Sequence, residues 1–381
     1  MLKSFFRKFL PVPTNAFYRK INELENSLKV QSELLNKVLK SQSDLSNEVI
    51  SNRKIFQSEL GRYNNFINAQ TICWDNKFER EIVQANWGIV MDQDNFGTQY
   101  LNLIHGLDPN SIEIVTRIIL RQKRYLSSDS SKIDLFTREE QDELRTLNEK
   151  FFSEIIKLAD DLFAFKHYLL PIKHFEASVF FYRHGIDEIE TISTIQDKAI
   201  IDVGGYIGDS ALIFSELPHA KTYTFEAVPE NYLLLQKTIE LNKLTDIVAE
   251  NIALGAKQGT LVMHQGTTKS WSTAITRHGL EYSRDILVAE TTLDHYVETH
   301  KINVGLIKVD IEGGEPGFLT GAEQTIKSQR PILLISIYHN ASDFFTIKPM
   351  IEKWNVGYSF KIYKPTISNI SSETLLIAQI K

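Results

Sequence analysis

The chain is poor in cysteine: among its 381 residues, only Cys73 carries a thiol. One cysteine cannot build an internal disulfide framework or a zinc site made of thiolates, and this scarcity favours a reducing compartment. No apolar run reaches the roughly 18 residues that a membrane-spanning helix needs. The formal net charge of −6 argues against recruitment of nucleic acid by bulk electrostatics. We therefore expect a cytoplasmic protein that does not bind nucleic acid.

The first twenty residues lack acidic side chains, and the beginning of this stretch is amphipathic. Basic residues Lys3, Arg7 and Lys8 share one helical face. The opposite face is apolar and consists of Leu2, Phe5, Phe6, Phe9 and Leu10. This arrangement is typical of a short helix at an anionic lipid surface, although docking onto the protein's own body is an alternative. We interpret residues 1–16 as a basic amphipathic segment and predict peripheral contact of residues 1–10 with the inner face of the membrane.

Proline and glycine are absent between Pro13 and Gly61, and in this stretch apolar residues recur at steps of three and four. The series is Ile21, Leu24, Leu28, Leu35, Val38, Leu45, Val49 and Phe56. Such a heptad-like spacing predicts a coiled-coil helix over residues 17–64 that joins copies of the chain into a homo-oligomer. A helix packed on the rest of the chain is the alternative.

Residues 65–195 carry the weakest pattern. Helical periodicity is clear over 111–125 and over 137–170, and Thr137 provides a good N-cap for the second stretch, with acids in the first turn behind it. We predict an all-α accessory domain here, ahead of a different architecture that begins near residue 196.

From residue 196 to residue 381, short apolar runs alternate with helical segments. The predicted strands are 199–203, 222–226, 246–252, 305–310, 331–337, 357–363 and 373–380, and the predicted helices are 209–217, 229–242, 315–328 and 342–354. Alternation of this kind indicates an α/β class protein with a doubly wound, seven-stranded Rossmann-like sheet. About ten residues separate the last two strands, too few for a crossover helix, so that pair should be antiparallel. A further strand pair, 259–265 and 285–290, is inserted after the third strand.

A glycine-rich turn follows the first predicted strand of this region. It reads Asp202-Val203-Gly204-Gly205-Tyr206-Ile207-Gly208. Glycines allow a ligand to approach the backbone closely. Roughly twenty residues further on, Glu226 ends the next strand, where a carboxylate can bind both hydroxyls of a ribose. The pairing of turn and acid indicates a nucleoside cofactor.

The spacing of the glycines favours one cofactor class. A dinucleotide fingerprint needs G-x-G-x-x-G, with the pyrophosphate at a helix N-terminus, and this turn has G-x-x-x-G instead. An acid at position 202 would repel pyrophosphate but suits the ammonium group of S-adenosyl-L-methionine. A nicotinamide-dependent short-chain dehydrogenase remains the alternative, although none of the fourteen tyrosines has a lysine four positions later.

The C-terminal half resembles the FkbM family of class I methyltransferases, which use S-adenosylmethionine. The resemblance covers roughly residues 175–381. Its motifs are Asp202–Ser210, Phe225–Asn231, Thr292–Asp294, Leu306–Gly313 with Glu315 and Gly321-Ala322, and Ile337–His339 with Asp343. It implies an O-methyltransferase that acts on a sugar hydroxyl of a bacterial surface glycan or its precursor. Gly314 departs from the family, since many members have histidine there.

The resemblance and the residues together define a predicted site. Binding of S-adenosyl-L-methionine is expected from Asp202, Gly204, Tyr206, Gly208, Ser210, Glu226 and Asn251. Asp310 is the preferred base or acceptor-orienting carboxylate, with Lys308, Glu312 and His339 as further catalytic candidates. The loop 264–284 is expected to contact the acceptor.

Two interpretations of the acids stay open at this point. No metal ligand is predicted, yet Asp310, Glu312 and Glu315 could coordinate a divalent cation, because hard cations favour oxygen ligands. Glu315 could instead only stabilise the first turn of its helix. A third reading of the whole chain is a coiled-coil adaptor with an inactive methyltransferase-like domain, which the Gly314 departure keeps open.

Overall fold

The computed structural model describes residues 84–127, 135–266, 272–274 and 282–381, together with Asn26, Lys29 and Lys40, which are helical and exposed. The residues from Gln84 onward belong to one unit of the chain, residues 70–381. The predicted segments 1–16 and 17–64 fall outside the described residues, apart from these three, and stay predictions. Within the described part, no helix combines the length and the apolar character that a bilayer crossing requires.

Helices and a small sheet precede the central sheet. A π-helical turn (Gln84–Gly88) and a short helical turn (Ile89–Met91) lead to α1 (Phe96–Ile104), α2 (Pro109–Ser127) and α3 (Arg138–Lys150). Thr137 caps α3 in a capping box with Glu140, as its sequence predicted. Three antiparallel strands follow: β1 (Ile156–Ala159), β2 (Leu162–Phe165) and β3 (Tyr168–Leu170).

The all-α interpretation of residues 65–195 is therefore wrong for residues 156–170. Helix α3 ends at Lys150, and the following apolar runs are each only three or four residues long. Two-residue connections separate them, and Lys166 adopts a positive φ of 52° in the second. Runs this short between tight turns favour strand pairing over a continuous helix.

Eleven strands follow in the part of the chain that the structure describes. They are β4 (Ala199–Val203), β5 (Lys221–Phe225), β6 (Ile247–Glu250), β7 (Ala253–Leu254), β8 (Gly259–Gly266), β9 (Ser272–Thr273), β10 (Tyr282–Thr291), β11 (Val304–Val309), β12 (Ile332–Ser336), β13 (Ser359–Tyr363) and β14 (Leu375–Gln379). The central sheet has the order β13-β14-β12-β11-β4-β5-β6. Strand β14 is antiparallel to both of its neighbours, whereas β4, β5, β6, β11 and β12 pair in parallel. The predicted seven-stranded sheet and its antiparallel final pair are confirmed.

Helices cover both faces of this sheet. They are α4 (Asp209–Phe214), α5 (Pro229–Asn242), α6 (Leu293–His300), α7 (Glu315–Gly321), α8 (Glu323–Gln329) and α9 (Ala341–Glu352). Alternate residues of a strand point to opposite faces. Ile201 and Ile307 accordingly join a core with residues of α1, α2, α6 and α9, and Ile200 and Leu306 join a second core with residues 147–195. Residues 84–195 thus share their cores with the sheet.

The inserted strands form a separate four-stranded sheet of order β7-β10-β8-β9. Strands β8 and β10 pair antiparallel from Gly259 opposite Glu290 to Tyr282 opposite Gly266. This insertion was predicted with slightly shorter strands. The loop residues 267–271 and 275–281 lie outside the described residues, so most of the predicted acceptor loop stays a prediction.

The helix predicted over 315–328 is two helices, α7 and α8. The carboxylate of Asp294 accepts hydrogen bonds from the backbone N–H groups of Gln324 (3.0 Å) and Thr325 (2.7 Å), and so caps a new helix start. Thr292 caps α6 in the same way, through the N–H of His295 at 3.2 Å. The Thr292–Asp294 motif is therefore structural: it fastens α6 to α8.

Candidate functional site

The predicted site residues meet where β4, β5, β11 and β12 end. Lys308 on β11 is directly opposite Asp202 on β4, and Thr224 on β5 is opposite Asp202 on the other side. Ligands of open α/β sheets bind outside the carboxyl ends of parallel strands. One edge of the sheet therefore brings together the glycine turn (residues 202–208) and the acids that follow β11.

The glycine turn lies directly against the chain beyond β11. Gly204 has a φ of +82°, and a Cβ at this position would come within 1.9 Å of the carbonyl oxygen of Asp310. Neither the conformation nor the space allows a larger residue. Gly208, with a φ of 87°, begins α4, and the half-buried Tyr206 has a φ of 43°. Ser210 is buried in the first turn of α4.

Asp202 turns away from the cleft that its sequence position suggested. Its side chain is fully buried, with Oδ1 3.1 Å from Nζ of Lys308 and Oδ2 accepting a 2.5 Å hydrogen bond from Thr224 Oγ1. Lys308 also donates to the carbonyl oxygen of Gly204 at 2.8 Å. This geometry does not support a direct contact of Asp202 with a ligand ammonium. Through Lys308, Asp202 instead holds the glycine turn against β11.

Burial disfavours the charged form of Lys308, but the neighbouring carboxylates Asp202 and Asp310 outweigh it and raise the pKa of the ammonium. The lysine is therefore a fixed positive charge between the glycine turn and Asp310. This role differs from the predicted contact with an anionic acceptor, since the buried ammonium lies against Asp202 and the Gly204 carbonyl.

Glu226 lies just beyond β5, where it was predicted to bind a ribose. Its Oε2 accepts the backbone N–H of Tyr206 at 2.9 Å, and its Oε1 accepts that of Val228 at 2.8 Å. The amide of Asn231 is 3.5 Å from Oε1. Burial raises the pKa of Glu226 to about 7, against the opposing effect of these hydrogen bonds. Oε1 thus accepts two hydrogen bonds, whereas Oε2 accepts one and keeps a second lone pair with which it can accept a ligand hydroxyl.

Asn251, the residue predicted beside the adenine, braces the same loop. Its side-chain amide donates to the carbonyl oxygens of Glu226 (2.8 Å) and Ala227 (3.1 Å). These two bonds fix the direction in which the chain leaves β5. The side chain thus supports Glu226, and the Asn251 backbone follows β6 at the edge of the site.

A cluster of three acids surrounds the imidazole of His339 beyond β12; we call Asp310, Glu312, Glu315 and His339 the acid–imidazole cluster. Nδ1 of His339 is 2.9 Å from Oε1 of Glu315, and Nε2 is 3.2 Å from Oδ1 of Asp310 and 3.6 Å from Oε2 of Glu312. Glu315 is fully buried and also accepts the N–H of Ile311 at 3.1 Å. The cluster unites three of the four predicted catalytic residues with Glu315, for which the sequence left a metal-ligand role and a helix-stabilising role open.

The two key groups of the cluster have opposite pKa shifts. Burial alone would lower the pKa of His339, but the charges of Glu315 and Glu312 raise it well above its ordinary value. Burial would raise the pKa of Asp310, but His339 and then Lys308 lower it to about 2. Asp310 is therefore ionised at neutral pH. Its carboxylate is 24% exposed, and both of its oxygens are 3.5 Å from the hydroxyl of Tyr338.

Two further acids of the cleft were missed in the sequence. Glu176 precedes the helical turn Ala177–Phe180 and pairs with His174 at 3.2 Å, and Glu373 lies in the connection before β14. Burial, with the charges of Glu176 and Asp310, raises the pKa of Glu373 to about 8. Neither acid has a local pattern around it. Only the tertiary fold brings the two acids close to Asp310, Glu176 from residues 174–184 and Glu373 from the connection before β14.

Part of the chain matches the model of a known protein family. The family model described as "Methyltransferase FkbM domain" matches residues 202–360. This stretch contains Glu226 and the whole acid–imidazole cluster, and it runs from the glycine turn into β13. The matched residues are thus those that build the candidate site.

Similar proteins include further methyltransferases. Methyltransferase 1 of Beauveria bassiana is 22% identical over 237 residues, which is 56% of this chain and 92% of that protein. The crystal structure of methyltransferase FkbM from Methylobacillus flagellatus shares 17% identity and a TM-score of 0.49, over 77% of this chain and 60% of that one. An rRNA methylase from Streptococcus thermophilus shares 11% identity and a TM-score of 0.31, over 52% of this chain and 95% of that one. By the family match, residues 202–360 of the protein are similar to the methyltransferase FkbM domain.

Proposed function

We propose that the protein is an S-adenosyl-L-methionine-dependent O-methyltransferase whose acceptor is a sugar hydroxyl of a bacterial surface glycan or its precursor. The observation that carries this proposal is the partly exposed, ionised carboxylate of Asp310 beside the glycine turn. Gly204 is so close to Asp310 that a Cβ would meet its carbonyl oxygen. A donor held by the turn and an acceptor held by Asp310 would therefore be neighbours.

The cofactor half of the proposal rests on the turn and on Glu226. Oε2 of Glu226 has a free lone pair for a ribose hydroxyl, and the loop is fixed by Asn251. The sheet order supports a methyl donor over a nicotinamide dinucleotide. A dinucleotide-binding sheet has six parallel strands in the order 3-2-1-4-5-6, whereas here the antiparallel β14 lies between β12 and β13.

The reaction is an in-line displacement in which the bond balance is simple. When bound, S-adenosyl-L-methionine would supply an electrophilic methyl group: the acceptor oxygen would bond to the methyl carbon as the carbon–sulfur bond breaks, with a neutral thioether as the leaving group. The hydroxyl proton passes to Asp310. A carboxylate of low pKa is a weak base, but the hydroxyl becomes strongly acidic as its oxygen is alkylated. Asp310 therefore orients the hydroxyl first and takes the proton late.

The neighbours of Asp310 keep this carboxylate in place. His339 approaches one oxygen at 3.2 Å, and the Tyr338 hydroxyl lies 3.5 Å from both. With its pKa raised by the surrounding acids, His339 is a poorer candidate for the base than Asp310. The acids Glu312, Glu176 and Glu373 add hydrogen-bond acceptors that suit a polyhydroxyl acceptor, which supports the sugar class together with the family resemblance.

The test separates the cofactor from the chemistry. Titration calorimetry should detect binding of S-adenosylhomocysteine and none of NADH. Asp310→Asn should retain that binding and lose at least about a hundredfold in methyl transfer to hydroxyl acceptors, because it removes the proton acceptor. The exposed Glu298→Gln serves as the matched control. In cells that lack the protein, the surface polysaccharide repeat should be lighter by one methylene mass. Binding of NADH instead, or full activity of Asp310→Asn, would contradict the proposal.

A further inference from the structure

We propose that Asp310, Glu312 and His339 form a binding site for one divalent cation, with Glu315 holding the histidine from behind. The three ligand atoms are Oδ1 of Asp310, Oε2 of Glu312 and Nε2 of His339. Nε2 of His339 lies within 3.6 Å of both oxygens, in the chain segments beyond β11 and β12. The site is a property of the folded chain and does not depend on the methyl donor.

The spacing of these atoms fits a shared ion. Bonds from a divalent cation to oxygen or imidazole nitrogen are about 2.1 Å long. Two such ligands are then about 3.0 Å apart at a right angle and about 3.4 Å apart at a tetrahedral angle. Nε2 of His339 is 3.2 Å from the Asp310 oxygen and 3.6 Å from the Glu312 oxygen. The first distance lies within this range and the second slightly above it, so Glu312 would have to move toward the ion.

The state of the histidine points to a ligand more directly than the acids do. His339 is 6% exposed, and its Nε2 has no hydrogen-bond partner of acceptable geometry among the residues that the structure describes. This nitrogen nevertheless faces two carboxylates. A buried nitrogen without a hydrogen bond carries a free-energy cost that a bound cation would remove.

Glu315 provides the outer contact that metal-binding histidines have. Such a histidine usually donates its other ring N–H to a carboxylate, which fixes the tautomer and the orientation of the ring. Here Oε1 of Glu315 lies 2.9 Å from Nδ1 of His339 and is itself fixed by the N–H of Ile311. A cation would take the place of the proton on Nε2, while Nδ1 keeps its own proton for Glu315. One oxygen or nitrogen each from Asp310, Glu315 and His339 lies within 4.8 Å of the others.

The ligand set and its exposure select the class of ion. Two carboxylates and one imidazole suit Mn²⁺ and related ions better than Ca²⁺, which takes oxygen ligands alone. The side chains of Asp310 and Glu312 are 24% and 35% exposed. An ion at their tips would keep positions open for water. If the proposed function holds, one of these positions is available to the acceptor hydroxyl, which a cation would acidify.

Metal-free, full-length protein titrated with MnCl₂ tests the site without any methyl donor. The electron paramagnetic resonance signal of free Mn²⁺ should show one ion bound per chain. Glu312→Gln should weaken the binding at least tenfold, and His339→Ala should abolish it. Glu312 is partly exposed, so that variant should fold, and a thermal melt checks this. Glu298→Gln should bind Mn²⁺ like the unaltered protein, because this acid lies on the exposed side of α6.

Failure of the metal site and failure of the proposed function can be told apart. No bound Mn²⁺, or equal binding by folded Glu312→Gln and by the unaltered protein, overturns the metal site. Titration of the same metal-free sample with S-adenosylhomocysteine reports on the cofactor alone. Binding of the nucleoside without Mn²⁺ leaves the proposed function standing, and the reverse result leaves only the metal site.

Discussion

Two carboxylates of the candidate site, the buried Glu226 and the partly exposed Asp310, have pKa values that their surroundings shift in opposite directions. Glu226 accepts hydrogen bonds from two backbone N–H groups, and burial raises its pKa to about 7. Burial acts on Asp310 in the same direction, yet His339 and Lys308 lower its pKa to about 2. Backbone dipoles offset only part of the desolvation of a carboxylate, whereas full positive charges more than offset it.

The two sides of the candidate site thus differ in the kind of group that holds each carboxylate. Glu226 is held mainly by backbone N–H groups, which suits the cofactor side of the proposed function. The acid–imidazole cluster is held by charged side chains, which suits the acceptor side of the proposed function, where a proton has to move.

Lys308 belongs to both sides, so its removal should produce the largest effect. Lys308→Met leaves the fully buried Asp202 without its cation and leaves the Gly204 carbonyl without its donor. Breaking a buried ion pair costs about 3–5 kcal/mol in the free energy of unfolding, which denaturant titration measures.

The double variant Asp202→Asn with Lys308→Met separates charge from packing. It should recover a large part of the loss, because no uncompensated charge remains. Lys221→Met, at the exposed start of β5, should change the stability by less than about 0.5 kcal/mol. A single Lys308→Met variant as stable as this control would show that the two sides do not depend on a common charge.

Gly204 joins the two sides through the backbone alone. In Gly204→Ala the new Cβ would meet the Asp310 carbonyl oxygen at 1.9 Å, at a φ of +82°. The left-handed conformation costs about 1–2 kcal/mol for a residue other than glycine, and the clash adds to it. We expect a loss of about 2–3 kcal/mol in the free energy of unfolding.

Gly317→Ala is the matched control for this substitution. Gly317 lies inside α7, and a Cβ there meets nothing within 4 Å. Alanine in a helix interior is favoured over glycine by about 0.5–1 kcal/mol, so this variant should gain stability. Equal losses in both variants would indicate a general sensitivity to alanine and no special contact at Gly204.

The extent to which the sequence predicted the fold follows from how local each signal is. The helix predicted over 229–242 is α5, with the same bounds, and β4 also has its predicted bounds. The signals for these elements are local. Helix α5 begins at Pro229, and β4 leads directly into the glycine turn. The small sheet β1–β3 was missed, because runs of three or four residues do not distinguish a strand from a helix turn.

The same distinction between local and non-local signals applies to the candidate site. The position of Glu226, Asp310 and His339 at one edge of the sheet was predictable, because Glu226 and Asp310 directly follow parallel strands and His339 lies three residues beyond β12. Their roles in binding and catalysis stay predictions. The burial of Asp202 against Lys308 was not predictable, since it depends on the register of β4 with β11. Glu176 and Glu373 come from distant segments and converge only through tertiary packing. Local pattern thus predicted which edge of the sheet carries the site, and non-local pairing decided which acids face into it.

The smallest expected effect is a pH dependence of ligand binding, which distinguishes Glu226 from Asp310 because their pKa values differ. With a pKa of about 7, Glu226 is mostly ionised at pH 8 and mostly protonated at pH 6. If its carboxylate binds the ribose, affinity for S-adenosylhomocysteine should fall roughly tenfold over that range as the acid is neutralised. Calorimetric titration at several pH values measures this.

In Glu226→Gln the affinity should be low and nearly flat with pH. That variant keeps Asp209, whose pKa burial raises to about 6, and it uses the same ligand. A slope that persists in Glu226→Gln would therefore belong to Asp209 or to the ligand, and would remove Glu226 from the ribose.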